Sequence, residues 1–389
     1  MANESIVFSL FLIFFGAAIM ATLALTLRQT LIIAYIAVGL IIGPSGSGLM
    51  ADPALIQNIS NVGMIFWLFL LGLDLNPREL VRMAGETTLV TGASSLLLLL
   101  LGFAYGRLFG FSSTESWILG SALMFSSTII GLKLIPTTVL HHQHTGEIII
   151  SVLLLQDIIA IILLLVLEGT AQADMSLASL LGPVLALPLL ALATWLISRY
   201  LLVRLITAFD RIQEYIFLLA IGWCLGVAEA AELMGLSYEI GAFIAGVSLA
   251  TSPIALFITN SLKPLRDFFL IIFFVTLGAR FDVNVLSEIW LPAIGLTLMA
   301  VLLKPALYRQ FLRFSRESSG RSTEVGVRLG QMSEFSLLLA VLATEMSVIS
   351  TTTGYLIQFA TLLSFIVSST WVVMKYPTPI ALNDRLRRD

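Results

Sequence analysis

The sequence is poor in cysteine and in charged residues. A single cysteine, Cys224, stands among 389 residues, which excludes an internal disulfide and a thiolate metal cluster. Charged residues make up 12% of the chain, about half of the usual share in a soluble domain. There is no basic stripe of the kind that nucleic acid requires, and no Ser/His/Asp set, phosphate loop or metal-ligand spacing. We therefore expect neither an enzyme, nor a bound cofactor, nor a nucleic-acid partner.

Apolar residues are abundant instead. They form 58% of the chain, and the mean hydropathy is +1.00. Apolar runs long enough to cross a lipid bilayer predict an all-α membrane protein with thirteen transmembrane helices. The predicted spans are 5–26, 30–50, 59–74, 87–109, 114–135, 147–167, 179–203, 213–230, 237–258, 266–281, 289–311, 323–346 and 352–375. The third and tenth are short, and glycines weaken the second and ninth.

The basic residues predict the orientation. If the N-terminus lies outside, only Arg107 and Arg280 of the 21 lysines and arginines fall on the outer side, while Lys304 and Arg328 fall within spans. All others lie at inner ends or loops, as the positive-inside rule requires. We therefore expect an outer N-terminus and a cytosolic C-terminus.

The spans divide into six, one and six. Residues 5–167 and 213–375 hold six each, 168–212 holds a linker helix, and residues 379–389 form a short cytosolic tail after a single transmembrane domain over 1–378. An odd number of spans between the halves makes them face opposite ways. Inverted repeats of this kind are typical of secondary transporters.

The fifth and twelfth spans occupy matching places in the two halves, and each is interrupted. Ser126, Ser127 and Thr128 lie at mid-depth in the fifth, and the twelfth contains Gly-Gln-Met-Ser-Glu-Phe-Ser at 330–336. Broken helices free backbone carbonyls and helix ends that can bind an ion. The alternative is that the hydroxyls bond back into the preceding turn. We predict broken helices at both places.

The sixth span carries Gln156 and Asp157 near its middle. An ionised carboxylate costs a few kcal/mol at that depth and is usually functional, although an Asp that ties two helices together is the alternative. Asp157 can bind a proton or a monovalent metal cation, never both. The Gln156 amide and the hydroxyls of Ser126, Ser127 and Thr128 are candidate oxygen ligands beside it.

Three further charges are candidates for a role at the site. Lys304 in the eleventh span is either a salt-bridge partner that competes with the cation for Asp157 or a lysine that snorkels to an interface. Glu334 either stabilises the break or lines the cavity. Arg328 lies six residues before Glu334, too far for a simple i,i+4 pair.

Three histidines, His141, His142 and His144, cluster in the inner loop after the fifth span. They could sense cytosolic pH. A solvated loop is the simpler interpretation, because no acidic or cysteine ligand set accompanies them for a metal.

Together these motifs resemble the Kef-type potassium/proton antiporters of the monovalent cation/proton antiporter-2 family. The matching segments follow the family's order along most of the chain. They are Ser-Ser-Thr at 126–128, Leu-Leu-Leu-Gln-Asp-Ile at 153–158, Glu-Ile-Gly-Ala-Phe-Ile-Ala-Gly at 239–246, Ile-Phe-Phe-Val-Thr-Leu-Gly at 272–278, Lys304, and Gly-Gln-Met-Ser-Glu-Phe-Ser at 330–336. Met332 and Ser333 stand where the family often has glycines.

The resemblance implies the sodium/proton antiporter fold, with helices 5 and 12 crossing, in a homodimer of a bacterial inner membrane. It implies elevator-type transport, with spans 1–3 and 8–10 as dimer scaffold and spans 4–6 and 11–13 as moving core. Kef proteins usually add a cytosolic nucleotide-binding regulatory domain, whereas this chain stops at Asp389.

Gln156-Asp157 stands where electrogenic sodium exchangers have two aspartates, which implies electroneutral K+/H+ exchange. A Na+/H+ antiporter of the same fold, a gated K+ channel-like efflux protein and a non-transporting receptor or assembly subunit are the alternatives.

Overall fold

The computed structural model describes residues 6–27, 29–49, 53–74, 86–135, 144–171, 177–209, 212–250, 252 and 255–378. The regular structure of these residues is almost entirely helical. The first half of the chain contains α1 (Ile6–Thr26), α2 (Leu31–Ile42), α3 (Pro53–Asp74), α4 (Glu86–Leu108), α5 (Ser113–Met124), α6 (Thr128–Lys133) and α7 (His144–Ala171).

The rest of the chain continues in the same way. It contains α8 (Leu177–Ile197), α9 (Val203–Ala208), α10 (Gln213–Leu233), α11 (Tyr238–Ala250), α12 (Ala255–Arg280), α13 (Leu286–Leu298), α14 (Lys304–Phe314), α15 (Ser319–Arg328), α16 (Glu334–Glu345) and α17 (Thr351–Lys375).

Two segments join consecutive helices without ending them. Ser198–Leu202 between α8 and α9, and Met299–Leu303 between α13 and α14, are π-helical. A π-helical turn is a local insertion in an α-helix and is often found at functional sites. The predicted seventh and eleventh spans are therefore continuous helices with one irregular turn each.

The expected lengths of four spans are wrong. The third and tenth are long, because α3 has 22 residues and α12 has 26; polar residues such as Lys263 and Arg266 lower the hydropathy of α12 but do not end it. The second is short, since α2 ends at Ile42, two residues before Pro44, whose missing N–H and ring do not suit a helix interior. The ninth also ends early, at Ala250.

Seven helical stretches in the described part of the chain are long and apolar enough to cross a membrane, and α2, α11 and residues 60–73 of α3 are shorter apolar helices. The chain is thus a multi-pass membrane protein. Thirteen crossings and their orientation stay a prediction.

The chain forms two compact units, each assembled from separate stretches of sequence. The first comprises residues 1–19, 35–81 and 165–280. In it α3 packs against α11 and α12, at places where glycine allows the backbones to touch. A Cβ on Gly246 of α11 would overlap the carbonyl of Phe69 in α3. Helix α12 approaches α2 equally closely, since a Cβ on Gly278 would overlap the carbonyl of Ile36. Its core is apolar and includes Phe69, which is fully buried.

The second unit comprises residues 20–34, 82–164 and 281–389. Helix α5 packs on α4 and α16, α14 packs on α4 and α15, and α17 packs on α13 and α16. Polar side chains are unusually common in its interior. Ser127, Gln156, Lys304, Arg328 and Gln331 are among those that are almost fully buried.

Candidate ion-binding site

The predicted break in the fifth span lies between α5 and α6. Helix α5 ends at Met124, and Phe125 has the extended conformation φ −76°, ψ 144°. The Ser127 hydroxyl then accepts a hydrogen bond from the Ile130 N–H at 3.0 Å, which caps the start of α6. A serine in this position satisfies an N–H that has no partner within the helix, so Ser126-Ser127-Thr128 restarts the helix rather than continuing it.

The predicted break in the twelfth span lies between α15 and α16. Helix α15 ends at Arg328, and α16 begins at Glu334 with Ser333 as its N-cap. The Ser333 hydroxyl accepts from the Phe335 N–H, and the Ser336 hydroxyl accepts from the Ser333 N–H, both at 3.2 Å. This reciprocal capping box starts a helix without a glycine at Met332 or Ser333.

Side chains join the two interruptions directly. The Ser126 hydroxyl donates to the Leu329 carbonyl at 3.0 Å, and the Ser336 hydroxyl donates to the Ala122 carbonyl at 2.6 Å. The Gln331 side chain also approaches the Ser127 carbonyl, at 3.5 Å. Backbone groups freed by each break are thus satisfied by the other, as buried polar groups require.

Two buried carboxylates lie beside this junction, and consecutive residues contact them. Thr128 donates from Oγ1 to Asp157 Oδ1 at 3.4 Å, and Ser127 donates from Oγ to Glu334 Oε1 at 2.7 Å. Asp157 is 3% exposed and Glu334 is 2% exposed. The structure therefore brings Ser127, Thr128, Asp157 and Glu334 together.

The two carboxylates differ in their hydrogen bonds. Glu334 accepts at both oxygens, because Ser333 donates to Oε2 at 3.2 Å. Among the described residues, Asp157 accepts one hydrogen bond, the long one from Thr128. A buried carboxylate with so little compensation is costly as a bare anion, and a proton or a metal cation removes that cost.

Gln156 does not present its amide to the same place. Its Oε1 accepts from the Ser126 N–H at 3.0 Å, and its Nε2 donates to the Met124 carbonyl and the Tyr308 hydroxyl, both at 2.7 Å. The amide replaces helical hydrogen bonds across the break. The expectation that its oxygen is available to a cation does not fit this geometry.

Lys304 likewise differs from expectation. Its ammonium donates to the carbonyls of Leu123, Phe125 and Gln331, and it forms no ion pair with Asp157 within the described residues. The side chain is fully buried, so it does not snorkel. The carbonyls that a break would offer to an ion are occupied here by an ammonium of the protein itself.

Arg328 has a partner that the sequence analysis did not consider. It lies one turn after Glu324 and pairs with it, Nε donating at 3.0 Å. Its other nitrogens donate to the carbonyls of Leu134 and Pro377, at 2.9 Å each. Arg328 thus joins α15 to the residues that follow α6 and α17.

Sequence reasoning missed Tyr308 and the side chain of Gln331. Tyr308 is fully buried and Gln331 accepts from the Ser368 hydroxyl at 3.0 Å. Gln331 could have been recognised as a polar residue in an apolar segment. Tyr308 could have been recognised from its position one helical turn after Lys304.

The histidine cluster is described only at His144, since His141 and His142 lie outside the described residues. His144 lies 2.9 Å from the carboxylates of both Glu147 and Glu317, and Arg321 donates to Glu317 at 2.7 Å. Burial raises the pKa of the Glu317 carboxyl, but hydrogen bonds from Arg321 and His144 outweigh it and hold that pKa below its usual value. The group joins the start of α7 to the loop before α15.

Comparisons with known proteins agree with this architecture. The family described as "Sodium/hydrogen exchanger, transmembrane" matches residues 11–375. The iron transporter MagA of Paramagnetospirillum magneticum is 29% identical over 350 residues, covering 89% of this chain and 80% of its own. K(+) efflux antiporter 5 of Arabidopsis thaliana is 28% identical over 352 residues, covering 87% and 61%.

A third relative is the glutathione-regulated potassium-efflux system protein KefC of Escherichia coli, 29% identical over 339 residues, with 84% of this chain and 54% of that one covered. The chain thus spans less than two thirds of these two potassium-efflux relatives. Among solved structures, the sodium proton antiporter MjNhaP1 of Methanocaldococcus jannaschii superposes with a TM-score of 0.69 at 18% identity, covering 94% of this chain and 96% of that one.

Proposed function

The chain belongs to the sodium/hydrogen exchanger family, and from that membership we propose that it exchanges one monovalent cation, K+, for one proton. The observation that carries the proposal is the buried carboxylate of Asp157, held beside Thr128 where two helices are interrupted. Relatives of the Kef type, among them KefC, support K+ as the cation. The family is one of transporters.

The chemistry of exchange follows from competition at Asp157. The charged carboxylate attracts a cation, and the protonated one does not. Because the ionised group lacks compensating hydrogen bonds, the empty, deprotonated form is disfavoured. The site therefore changes occupant rather than standing empty, which couples the two fluxes.

The ligands proposed for the cation are the Asp157 carboxylate and the hydroxyl oxygens of Thr128 and Ser127, with the Glu334 carboxylate one hydrogen bond away. Alkali cations take hard oxygen ligands of this kind. Gln156 and Ser126 support the break instead of contacting the ion. Lys304 supplies a fixed positive charge to the same junction.

For the transport cycle we propose elevator-type alternating access in a homodimer. Every residue of the proposed site lies in the second unit, as transport by one moving body requires. The match to MjNhaP1 supports the sodium/proton antiporter fold, within which we propose thirteen crossings, two inverted six-helix repeats and crossed helices 5 and 12. We propose an inner-membrane location with the N-terminus outside, and a regulatory nucleotide-binding domain as partner.

A proton-flux assay in proteoliposomes tests the proposal. Wild type is expected to dissipate a pH gradient when K+ is added. Asp157→Asn is expected to abolish this flux, because an amide cannot alternate between an anion that attracts a cation and a protonated neutral form. Asp282→Asn is the matched control, since Asp282 caps a short helix at 2.9 Å from the Asn284 N–H and lies outside the site.

Parallel assays with Na+ and Fe2+ separate the alternatives. Proton flux driven by Na+ but not by K+ would identify Na+ as the transported cation and leave the proposed mechanism unchanged. Flux driven only by Fe2+ would favour the cargo in the name of the MagA relative. Persistence of K+-driven flux in Asp157→Asn, or conductance far above carrier rates, would contradict the proposal.

A further inference from the structure

We propose that Tyr308 is a positioning residue of the cation site. Acting through Gln156, it fixes the break that presents Ser127 and Thr128 to the two carboxylates. The inference rests on the proposed function and adds a residue to the same site. It is carried by hydrogen bonds to the carbonyls of Leu123, Met124 and Phe125 and to the Ser126 N–H.

The Gln156 side chain bridges the break by hydrogen bonds to backbone groups on both sides of it. It accepts from the Ser126 N–H and donates to the Met124 carbonyl, the two backbone groups on either side of Phe125. An amide has two N–H donors and one acceptor oxygen. With one donor committed to Met124, the orientation of the amide depends on a partner for the second donor.

Tyr308 is that partner. Its hydroxyl accepts from Gln156 Nε2 at 2.7 Å, and the side chain is fully buried. The side chains of Ser94 and Ser126 also approach the phenol oxygen. A buried tyrosine hydroxyl needs such partners, and these hold the phenol at a fixed position.

One face of α14 therefore secures three consecutive carbonyls. Lys304 and Tyr308 lie four residues apart, so their side chains emerge on the same side of the helix. Lys304 donates to the carbonyls of Leu123 and Phe125, and Tyr308 orients the amide that donates to Met124. This one helix therefore holds the last two residues of α5 and its C-cap, Phe125.

The fixed segment leads directly into the residues that contact the carboxylates. Ser127 and Thr128 follow Ser126, whose N–H is held by Gln156. If the Gln156 amide loses its partner, Ser127 and Thr128 are no longer held at their distances from Glu334 and Asp157. Loss of the Tyr308 hydroxyl should then weaken cation binding more than it slows the transport step.

The experiment compares Tyr308→Phe with Tyr105→Phe in reconstituted full-length protein. Tyr105 is a matched control, since its hydroxyl donates to the Pro292 carbonyl at 2.7 Å, a bond of similar length outside the site. We expect Tyr308→Phe to raise the KM for K+ about three- to tenfold, the equivalent of one hydrogen bond, with the maximal rate changed less than about twofold. Tyr105→Phe should leave the KM unchanged.

A second background tests whether Tyr308 acts through Gln156. In Gln156→Leu, the further change Tyr308→Phe should have no added effect on KM, because residues of one hydrogen-bond network are not additive. The rise in melting temperature that K+ gives is measured in parallel, so that a variant too slow for the flux assay still reports binding.

An unchanged KM in Tyr308→Phe, an equal rise in Tyr105→Phe, or additive effects in the double variant would each overturn the inference. These results leave K+-driven flux of the wild type intact, and the proposed function with it. Absence of any cation-driven proton flux in the wild type would instead end both.

Discussion

Glu334 and Asp157 are buried to a similar degree, yet their surroundings suit different tasks. Glu334 receives hydrogen bonds at both oxygens from the hydroxyls of Ser127 and Ser333, the arrangement that keeps a carboxylate in place. Asp157 receives one long contact from Thr128. Of the two acids, Asp157 is therefore the one suited to exchange its occupant, and Glu334 the one suited to remain as it is.

Lys304 provides a prediction at the scale of one side chain. Lys304→Met leaves the carbonyls of Leu123, Phe125 and Gln331 without their donor, and unpaired buried groups cost about 1–3 kcal/mol each. Lys304→Gln removes the charge and one of the three N–H donors but keeps two donors for these carbonyls. We expect Lys304→Met to lower the melting temperature in detergent by several degrees, and Lys304→Gln to lower it less.

The same measurement distinguishes this role from a salt bridge. If Lys304 acted through its charge on Asp157, the Met and Gln variants would lose equal stability. A loss of the same size in Asp157→Asn would also contradict the carbonyl role. Wild type and the two lysine variants, compared in one detergent, decide the matter.

At the scale of elements, the helices within each unit make a different kind of contact. Around the interrupted helices the contacts are hydrogen bonds between serines, amides and carbonyls. In the first unit, α2 and α12 approach so closely that no side chain fits between Ile36 and Gly278. Small residues at helix contacts are the usual means of close packing in membranes.

Gly278→Ala tests that contact. The added methyl group overlaps the backbone of Ile36, and overpacking of this kind costs about 1–3 kcal/mol or more. Gly226→Ala in α10 is the control, because a Cβ there meets nothing within 4 Å and alanine favours a helix over glycine by about 1 kcal/mol. Thermal unfolding should show a lower melting temperature for the first variant and an equal or higher one for the second; the reverse order would contradict the packing.

At the scale of the molecule, the elements that sequence predicts best are those with long apolar runs. Such runs predict the helix that carries Asp157. The two interruptions are predicted from polar residues within the runs, because polar residues at mid-depth are rare enough to be recognised. The apolar runs do not predict which group each polar side chain contacts. Gln156 and Lys304 bond to backbone groups from distant parts of the chain, and their spacing along the sequence carries no information on those partners.

The helix ends show the same limit. Hydropathy placed the end of the second span near residue 50, although α2 ends at Ile42, and it divided α12 at its charged residues. Hydropathy reports solubility in lipid, whereas a helix ends where its backbone hydrogen bonds end.

Stoichiometry is a property of the whole molecule. Gln156 cannot ionise, and Glu334 accepts hydrogen bonds from Ser127 and Ser333, so in the proposed mechanism Asp157 alone exchanges one positive charge for another. We predict one-for-one exchange, which moves no net charge. Proteoliposomes that show K+-driven proton flux should show no sustained transport current in an electrical recording, with Asp157→Asn as background. A current that reverses with membrane potential would contradict it.

The π-helical turn Met299–Leu303 immediately before Lys304 sets the direction in which that ammonium points. One residue more or fewer rotates everything downstream by about 100° around the helix axis. Deleting a single residue here would make a more regular helix and at the same time turn both Lys304 and Tyr308 away from the carbonyls they serve. The irregular turn thus sets the rotation of α14 about its axis. A regular helix of the same sequence would not direct Lys304 and Tyr308 towards the junction of the two interrupted helices.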